Sequence, residues 1–267
     1  MYRGKPGDGG NRVNGTVYLV GAGPGAPDLL TLRAASLLEC ADIVFHDALV
    51  NPEIVALATR APKVAVGKRC GKHSTAQQFI NKRLVDAARI HNVIVRLKGG
   101  DPMLFGRAQE EIAALEAAGI RYEVVPGVTA ALAAAALLGT SLTQRGCVRS
   151  VTFVTPRVGD GEAIGEWAAS LAAADSGAIY MGAGQAEAIS VALIDAGKPP
   201  STPVAIVENA SLPGSRILFG TLATLPQLAD QAMNGPALIF VGPQFRARAR
   251  AATLVPERAD ATAHGGR

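Results

Sequence analysis

Glycine-rich loops that directly follow predicted strands hold most of the residues whose types and spacing could do chemistry. The first loop is GAGPGAPD, residues 21–28, after a strand predicted at residues 16–21. It fits the GxGxxG/A pattern of dinucleotide-binding loops, and Asp47 ends the second predicted strand, where a ribose-binding acid would stand. Pro24 argues against that use, because it removes an amide from a loop that should hold pyrophosphate. A dinucleotide site therefore stays open as one alternative.

The second loop is KGGDPMLFG, residues 98–106, after the strand predicted at residues 93–97. Gly99 and Gly100 would let the backbone approach a ligand closely, and Asp101 could accept hydrogen bonds from ribose hydroxyls. The alternative is a tight turn in which Asp101 caps the next helix. Both interpretations place the loop at the carboxyl end of a strand, where open α/β sheets bind ligands.

A basic loop, GKRCGKHS at residues 67–74, concentrates positive charge before a predicted helix. Its cations include Lys68, Arg69 and Lys72. Guanidinium and ammonium groups bind carboxylates, so this loop is a candidate clamp for an acidic ligand. A solvated basic loop is the alternative. Two more segments follow predicted strands, VPGVTAA at residues 125–131 and YMG at residues 180–182.

The elements that must position these loops alternate between apolar β-branched runs and helical stripes. In the first half this alternation predicts a mainly parallel sheet with right-handed crossovers. The pattern restarts after residues 126–127, so the hypothesis is two α/β domains at residues 14–127 and 128–245, with flexible tails at residues 1–13 and 246–267.

Two local signals refine this arrangement. Pro213-Gly214 between two strand runs predicts a hairpin. Ser74 and Gln77 predict a capping box at the start of a helix over residues 74–91, in which Ser74 caps the first free amides and the glutamine side chain reaches back to the cap residue.

Composition excludes several classes of protein. The chain has 267 residues, of which 49% are hydrophobic and 18% charged, so it can bury one large core or two small ones. A net charge of +4 with 4% aromatic residues does not support nucleic-acid binding. The longest apolar run, residues 128–138, is shorter than the ~18 residues that span a bilayer. Three scattered cysteines and no secretory signal predict a cytoplasmic protein without a metal cluster.

Together, and in this order, the segments from about Val17 to Gly242 resemble the tetrapyrrole methylases. The set includes VYLVGAGPGAPDLLTLRA, DALV, GKRCGKHS, VRLKGGDPMLFGR, VVPGVTAA, SVTFVT, YMG, PVAIVENA and PALIFVG. The DALV and GKRCGKHS segments resemble the members that act on uroporphyrinogen III rather than the later precorrin methylases. The resemblance is to the single-function form, since no dehydrogenase/chelatase segment precedes these motifs in the sequence.

The resemblance implies two α/β domains of the class III methyltransferase type, with S-adenosylmethionine in a cleft between them and no metal. It implies methyl transfer to C2 and C7 of uroporphyrinogen III, which gives precorrin-2 through precorrin-1 and feeds cobalamin or sirohaem synthesis. A homodimer is the usual assembly of the family. The small tetrapyrrole is the expected partner, with neither a nucleic acid nor a membrane.

The resemblance also assigns roles to residues. Asp47 is the expected proton acceptor and Lys68 the expected proton donor. The expected cofactor contacts are Pro24, Gly99, Gly100, Asp101, Leu104, Thr129, Ala130, Met181, Ala210 and Ala237. The substrate carries eight carboxylates, and their candidate partners beside Lys68 are Arg69, Lys72, Arg107, Arg145 and Arg149.

Three segments depart from the family pattern. Residues 106–111 read GRAQEE where the family has GRGGEE, and residues 141–145 read SLTQR where it has PLTHR. Pro156-Arg157 stands where a glycine-histidine pair is usual. Three alternatives accordingly stay open: an NAD-dependent oxidoreductase, a non-catalytic tetrapyrrole-binding protein, and a different tetrapyrrole methylase acting on precorrin-4 or precorrin-2.

Overall fold

The computed structural model describes residues 14–66, 73–158, 165–231 and 235–249. The chain divides into two compact units, Met1–Thr129 and Ala130–Arg267, a boundary two residues beyond the predicted one. The basic loop at residues 67–72, the side chain of Ser74 and the tails at residues 1–13 and 250–267 lie outside the described residues.

The first unit is built on a five-stranded parallel sheet with the order β3-β2-β4-β1-β5. Its strands are β1 (Thr16–Gly21), β2 (Ile43–His46), β3 (Lys63–Ala65), β4 (Val93–Lys98) and β5 (Arg121–Val125). The mainly parallel sheet predicted for the first half is confirmed. Since every strand runs the same way, all five carboxyl ends lie at one edge of this sheet.

Helices cover both faces of the first sheet. They are α1 (Leu32–Cys40), α2 (Pro52–Ala56), α3 (His73–Ala88) and α4 (Ala108–Ala117). Leu38 and Ile54 of the first two helices pack on one face, whereas Leu84 and Leu115 of the other two pack on the opposite face. The connections that follow β1 and β4 therefore leave toward opposite faces. Two neighbouring strands with diverging connections form the crevice that open α/β sheets use for ligands.

The second unit has a mixed five-stranded sheet with the order β6-β7-β10-β8-β9. Its strands are β6 (Val151–Val154), β7 (Ser176–Ile179), β8 (Pro203–Glu208), β9 (Arg216–Thr221) and β10 (Ala237–Val241). Strands β8 and β9 form the hairpin predicted from Pro213-Gly214, and β10 is antiparallel to both β7 and β8. Strands β6, β7 and β8 therefore end at the same edge, where β9 and β10 begin.

The helices of the second unit are α5 (Ala130–Leu138), α6 (Trp167–Ala173), α7 (Ala186–Asp195) and α8 (Leu225–Ala229). Residues 246–249, at the start of the predicted tail, are helical; Ala249 is buried and residues 246–248 are exposed. Within the described ranges, no helix is both long and apolar enough to cross a membrane.

One aspartate in each unit holds the start of a neighbouring parallel strand. Asp42, just before β2, accepts two successive backbone N–H groups at the start of β4, at 2.8 and 2.9 Å. Asp175, just before β7, accepts the N–H groups of Arg149 and Ser150, also at 2.8 and 2.9 Å. These hydrogen bonds hold the pKa of the Asp175 carboxyl below its ordinary value. In both sheets, an aspartate that accepts two successive backbone N–H groups thus fixes the register of a neighbouring strand.

Candidate functional site

Three of the predicted glycine loops meet at the carboxyl edge of the first sheet. Gly23 and Gly100 exchange two backbone hydrogen bonds, at 3.1 and 2.7 Å. A Cβ atom on Gly21 would lie 2.6 Å from the Cα of Gly127 and 2.7 Å from the carbonyl oxygen of Gly100. The loops after β1, β4 and β5 therefore pack backbone on backbone, which only glycine allows.

Asp101 ties two of these loops together. Its Oδ1 accepts the N–H of Met103 at 2.8 Å, and its Oδ2 accepts the N–H of Gly127 at 2.9 Å. The first bond makes a tight turn, but α4 begins only at Ala108 with Arg107 at its N-cap, so Asp101 does not cap that helix. The second bond fixes the loop after β5. Each carboxylate oxygen has a further lone pair, so the predicted contact of Asp101 with ribose stays a prediction.

Around Gly99, one of the predicted loop glycines, the described residues leave room for a ligand. No described atom lies within 4 Å of the place where a Cβ atom would be. Pro24 and Leu104, also predicted as cofactor contacts, are half-buried in the loops after β1 and β4. A bare backbone with open space beside it at the switch between β1 and β4 fits an adenosine-containing cofactor.

The dinucleotide alternative is not supported by the local geometry. A pyrophosphate-binding loop leads straight into a helix N-terminus. Here a short 3₁₀ turn at Pro27–Leu29 follows the glycine loop, and α1 begins only at Leu32 with Thr31 as its cap. The free amides of α1 are therefore separated from the glycines by several residues.

Asp47, the predicted proton acceptor, directly follows β2 and is held by an arginine that was not among the predicted site residues. Its Oδ1 accepts from Nη2 of Arg96 at 2.6 Å. The Arg96 side chain is 2% exposed, whereas that of Asp47 is 31% exposed. The carboxylate of Asp47 therefore combines a buried cationic partner with access from outside.

Behind Asp47 lies a buried network of charges. Nε of Arg96 donates to Glu111 at 2.8 Å, and Nζ of Lys98 donates to the other oxygen of Glu111 at 3.0 Å. The amide of Gln77 also approaches Glu111, at 3.4 Å, and donates to Asn81. The amide nitrogen of Gln77 thus serves this network and the next helical turn, and the predicted capping box with Ser74 stays a prediction.

Burial and charge act in opposite directions on the two cations of this network. Burial tends to lower the pKa of Arg96, but the carboxylates of Glu111 and Asp47 outweigh it and raise that pKa. For Lys98, burial together with repulsion from Arg96 outweighs the attraction of Glu111 and lowers the pKa. Glu111 therefore opposes the effect of burial on the pKa of both cations.

The sequence did carry a signal for this network. Arg96 and Lys98 stand two residues apart in an otherwise apolar parallel strand, so they share one face of the sheet. Glu111 lies next to Ile112 on the buried side of α4. Charges at buried positions of this kind are rare unless they are paired.

At the carboxyl edge of the second sheet, three predicted cofactor contacts come together. Met181 follows β7, Ala210 follows β8, and Ala237 begins β10, where it pairs with Glu208 at the end of β8. The N-terminus of α5 belongs to the same edge, because the N–H of Ala131 donates to the hydroxyl of Tyr180 at 3.2 Å. Thr129 and Ala130 directly precede that amide at the start of α5.

Unusual backbone conformations cluster at these strand ends. Met181 has a φ angle of 56°, and the two neighbours of Ala210, Asn209 and Ser211, have φ angles of 50° and 67°. In the first unit, Phe105 next to Leu104 has a φ of 52°. Left-handed conformations are costly for residues other than glycine and often mark functional sites. Here they coincide with predicted cofactor positions.

The described members of the predicted carboxylate-binding set lie on three separate segments of the chain. Arg107 forms a two-point ion pair with Glu110, at 2.6 and 2.8 Å, so a substrate carboxylate would have to compete with that partner. Arg145 is exposed in a tight turn between Gln144 and Val148. Arg149 precedes β6, at the edge of the second sheet opposite to Met181. Their role with substrate stays a prediction.

Comparison with known proteins identifies the family. The chain belongs to the tetrapyrrole (corrin/porphyrin) methylases, whose family model matches residues 16–226. A siroheme synthase from Chromobacterium violaceum is 48% identical over 236 residues, which cover 88% of this chain and 50% of that protein. The chain thus spans about half the length of the curated relatives it matches.

Among solved structures, one similar protein is matched over its whole length. The uroporphyrin-III C-methyltransferase of Thermus thermophilus, complexed with S-adenosylhomocysteine, is 38% identical, with a TM-score of 0.76. The match covers 87% of this chain and 100% of that one. A cobalt precorrin-4 methyltransferase matches with 27% identity and a TM-score of 0.74, over 85% of this chain and 94% of its own.

Proposed function

We propose that this chain transfers methyl groups from S-adenosylmethionine to C2 and C7 of uroporphyrinogen III, giving precorrin-2 through precorrin-1. The observation that carries the proposal is the 38% identity to the Thermus uroporphyrin-III C-methyltransferase over that protein's full length. Identity to the precorrin-4 enzyme is lower, at 27%, although the folds agree about equally well. The sequence departures at residues 106–111 and 141–145 therefore do not point to that substrate.

S-adenosylmethionine supplies an activated methyl group on a sulfonium cation. We propose that it is bound by the residues at the strand ends described above. The open backbone at Gly99 would receive part of the cofactor, and Pro24 and Leu104 would provide apolar contact in the first unit. In the second unit, Met181, Ala210 and Ala237 would add contacts at their shared edge. Alignment of donor and acceptor is the main task of such a site.

Asp47 is proposed as the proton acceptor. As a pyrrole carbon bonds to the methyl group, the methyl–sulfur bond would break with its electron pair going to sulfur, so that S-adenosylhomocysteine leaves. The pyrrole ring would then be cationic, and loss of a ring-system proton would restore neutrality. A carboxylate within reach can take that proton. Asp47 fits because one of its oxygens is held by Arg96 at 2.6 Å and its side chain is 31% exposed. Lys68, the proposed proton donor, lies outside the described residues.

The decisive experiment follows methyl transfer directly. Anaerobic uroporphyrinogen III is incubated with the protein and S-adenosylmethionine carrying a labelled methyl group, and the products are resolved by mass. We expect a singly methylated product that is converted to a doubly methylated one. Cofactor binding without label transfer would instead favour a non-catalytic tetrapyrrole-binding protein, and transfer only to a later precorrin would favour a different methylase.

We propose further that the protein acts as a cytoplasmic homodimer, as the family resemblance implies. Light scattering of the purified chain measures the mass in solution. A mass of one chain at micromolar concentration would contradict the dimer and leave the reaction itself untouched.

A further inference from the structure

One fully buried carboxylate, Glu111, joins the two buried cations behind Asp47. Its side chain is 0% exposed, and those of Arg96 and Lys98 are 2% and 4% exposed. Each oxygen of Glu111 has its own cationic donor. In such a place water cannot substitute for a lost partner, so removing one member leaves an uncompensated charge. The network with Asp47 contains two cations and two anions, and its charges balance.

The geometry of Arg96 links Glu111 to Asp47. The guanidinium is planar and rigid, and its donors point in fixed directions. Nε donates to Glu111, Nη2 donates to Asp47, and Nη1 donates to the carbonyl oxygen of Leu97 at 3.2 Å. Because the Nε edge is anchored, the direction of Nη2 is fixed as well. The position of Glu111 therefore determines where the Asp47 carboxylate is held.

We propose that Glu111 is a positioning residue for the proton-accepting carboxylate of Asp47 and acts through Arg96. This inference rests on the proposed function, because it needs Asp47 to be the proton acceptor. Glu111 itself is closed to ligands, whereas Asp47 is not. The role of Lys98 is to balance the charge of Glu111, so that the anchor of Arg96 can be an ionised carboxylate.

The first test is Glu111→Gln. The amide has one acceptor oxygen and one donor nitrogen, so Arg96 or Lys98 must face a like donor. We expect kcat to fall about 10- to 100-fold, as misplaced catalytic groups do, while the substrate KM and the cofactor affinity stay within about twofold. Glu116→Gln is the matched control. Glu116 lies on the same helix α4 and accepts from the Tyr122 hydroxyl at the exposed surface, so kcat should not change.

A double-mutant cycle with Asp47→Asn separates positioning from a general loss of structure. Asp47→Asn alone should lower kcat by about 10²- to 10⁴-fold, the usual contribution of a general base. If Glu111 acts through Asp47, adding Glu111→Gln to that variant should lower kcat by less than about twofold more, because the two residues act as a unit. Effects that multiply would overturn the proposal.

A second pair of variants covers the case in which Glu111→Gln does not fold. Glu111→Gln with Lys98→Met removes the unbalanced cation and still offers Arg96 an acceptor. Glu111→Leu with Lys98→Met has the same charge but no acceptor. We expect kcat near the wild-type value for the glutamine pair and a loss of about 10-fold or more for the leucine pair. Equal kcat values would overturn the proposal.

The outcomes also distinguish this inference from the proposed function. A wild-type protein that transfers no methyl group contradicts the proposed function, and the positioning role falls with it. Full kcat in Asp47→Asn contradicts Asp47 as proton acceptor. If Asp47→Asn loses activity while both Glu111 pairs keep it, the proposed function stands and only the positioning role is wrong.

Discussion

Two loop glycines of the first unit, Gly99 and Gly127, differ in what a side chain would meet. An added Cβ on Gly127 would lie against the carbonyl oxygen of Gly100 and the backbone of Gly21, whereas one on Gly99 would meet open space. The first glycine is thus required for the loops to pack. The second is compatible with a larger residue as far as the protein itself is concerned, so a requirement for glycine there would come from a ligand.

Alanine should therefore lower stability at Gly127 and weaken cofactor binding at Gly99. We expect Gly127→Ala to lower the free energy of unfolding by about 1–3 kcal/mol, because backbone atoms cannot move aside easily. Gly99→Ala should change it by less than about 0.5 kcal/mol and weaken S-adenosylmethionine binding about tenfold. Urea unfolding and titration calorimetry measure the two quantities. An unchanged affinity in Gly99→Ala would remove Gly99 from the cofactor site.

Met181 gives a second prediction at the scale of a residue. Its φ angle of 56° is unfavourable for any residue with a Cβ atom, and its side chain is 45% exposed. Met181→Gly should therefore be more stable than Met181→Ala by about 1 kcal/mol, while both variants bind the cofactor more weakly than wild type. Thermal unfolding and calorimetry test this. Equal stability of the two variants would show that the backbone at Met181 relaxes.

Some site residues could be placed together from the sequence, and others could not. Pro24, Gly99 and Asp101 follow parallel strands, and parallel strands end at one edge, so their meeting was predictable. The hydrogen bond between Arg96 and Asp47 joins residues far apart in the sequence, and its partner Glu111 lies on a separate helix. The pairing of β2 with β4 brings Asp47 to Arg96, and the contact of α4 with β4 brings Glu111 to the same side chain.

At the scale of elements, the hydrogen bonds to Asp175, just before β7, should make the free energy of unfolding depend on pH. The amides of Arg149 and Ser150 lower the pKa of Asp175 in the folded protein, so its contribution is present above the unfolded pKa. It is lost as the pH falls through the lowered folded pKa. We expect Asp175→Asn to be less stable than wild type at neutral pH, and the difference should shrink in acid below the ordinary aspartate range.

Chemical unfolding of both proteins from neutral to acidic pH measures this difference. Asp195→Asn is the matched control, since Asp195 is exposed at the end of α7 and the same change there should have little effect at any pH. A stability difference between wild type and Asp175→Asn that stays constant with pH would mean that the carboxylate charge is not what holds β6.

The place and direction of β10 in the second sheet could not be predicted from local sequence patterns. The hairpin of β8 and β9 follows from a local turn signal, and the structure confirms it. The place of β10 does not follow from local signals, because it inserts between β7 and β8 and runs antiparallel to both. Such a pairing is settled by contacts between distant segments, yet it is what brings Ala237 beside the end of β8.

At the scale of the whole molecule, the net charge of +4 matters because the proposed substrate carries eight carboxylates. Arg145 is the candidate partner that the family resemblance favours most clearly, and it is exposed. Arg145→Glu should raise the substrate KM about tenfold or more, with little effect on cofactor affinity. Arg60→Glu makes the same change in total charge at another exposed arginine and should raise KM far less.

Ionic strength distinguishes a local carboxylate contact from the field of the whole protein. The Debye length falls from ~10 Å at 0.1 M salt to ~3 Å at 1 M, so the wild-type KM for uroporphyrinogen III should rise over that range. If Arg145 binds a carboxylate, KM of Arg145→Glu should rise less steeply, because its largest attraction is already lost. Parallel salt dependences of KM in wild type, Arg145→Glu and Arg60→Glu would assign the attraction to overall charge and remove Arg145 from the substrate site.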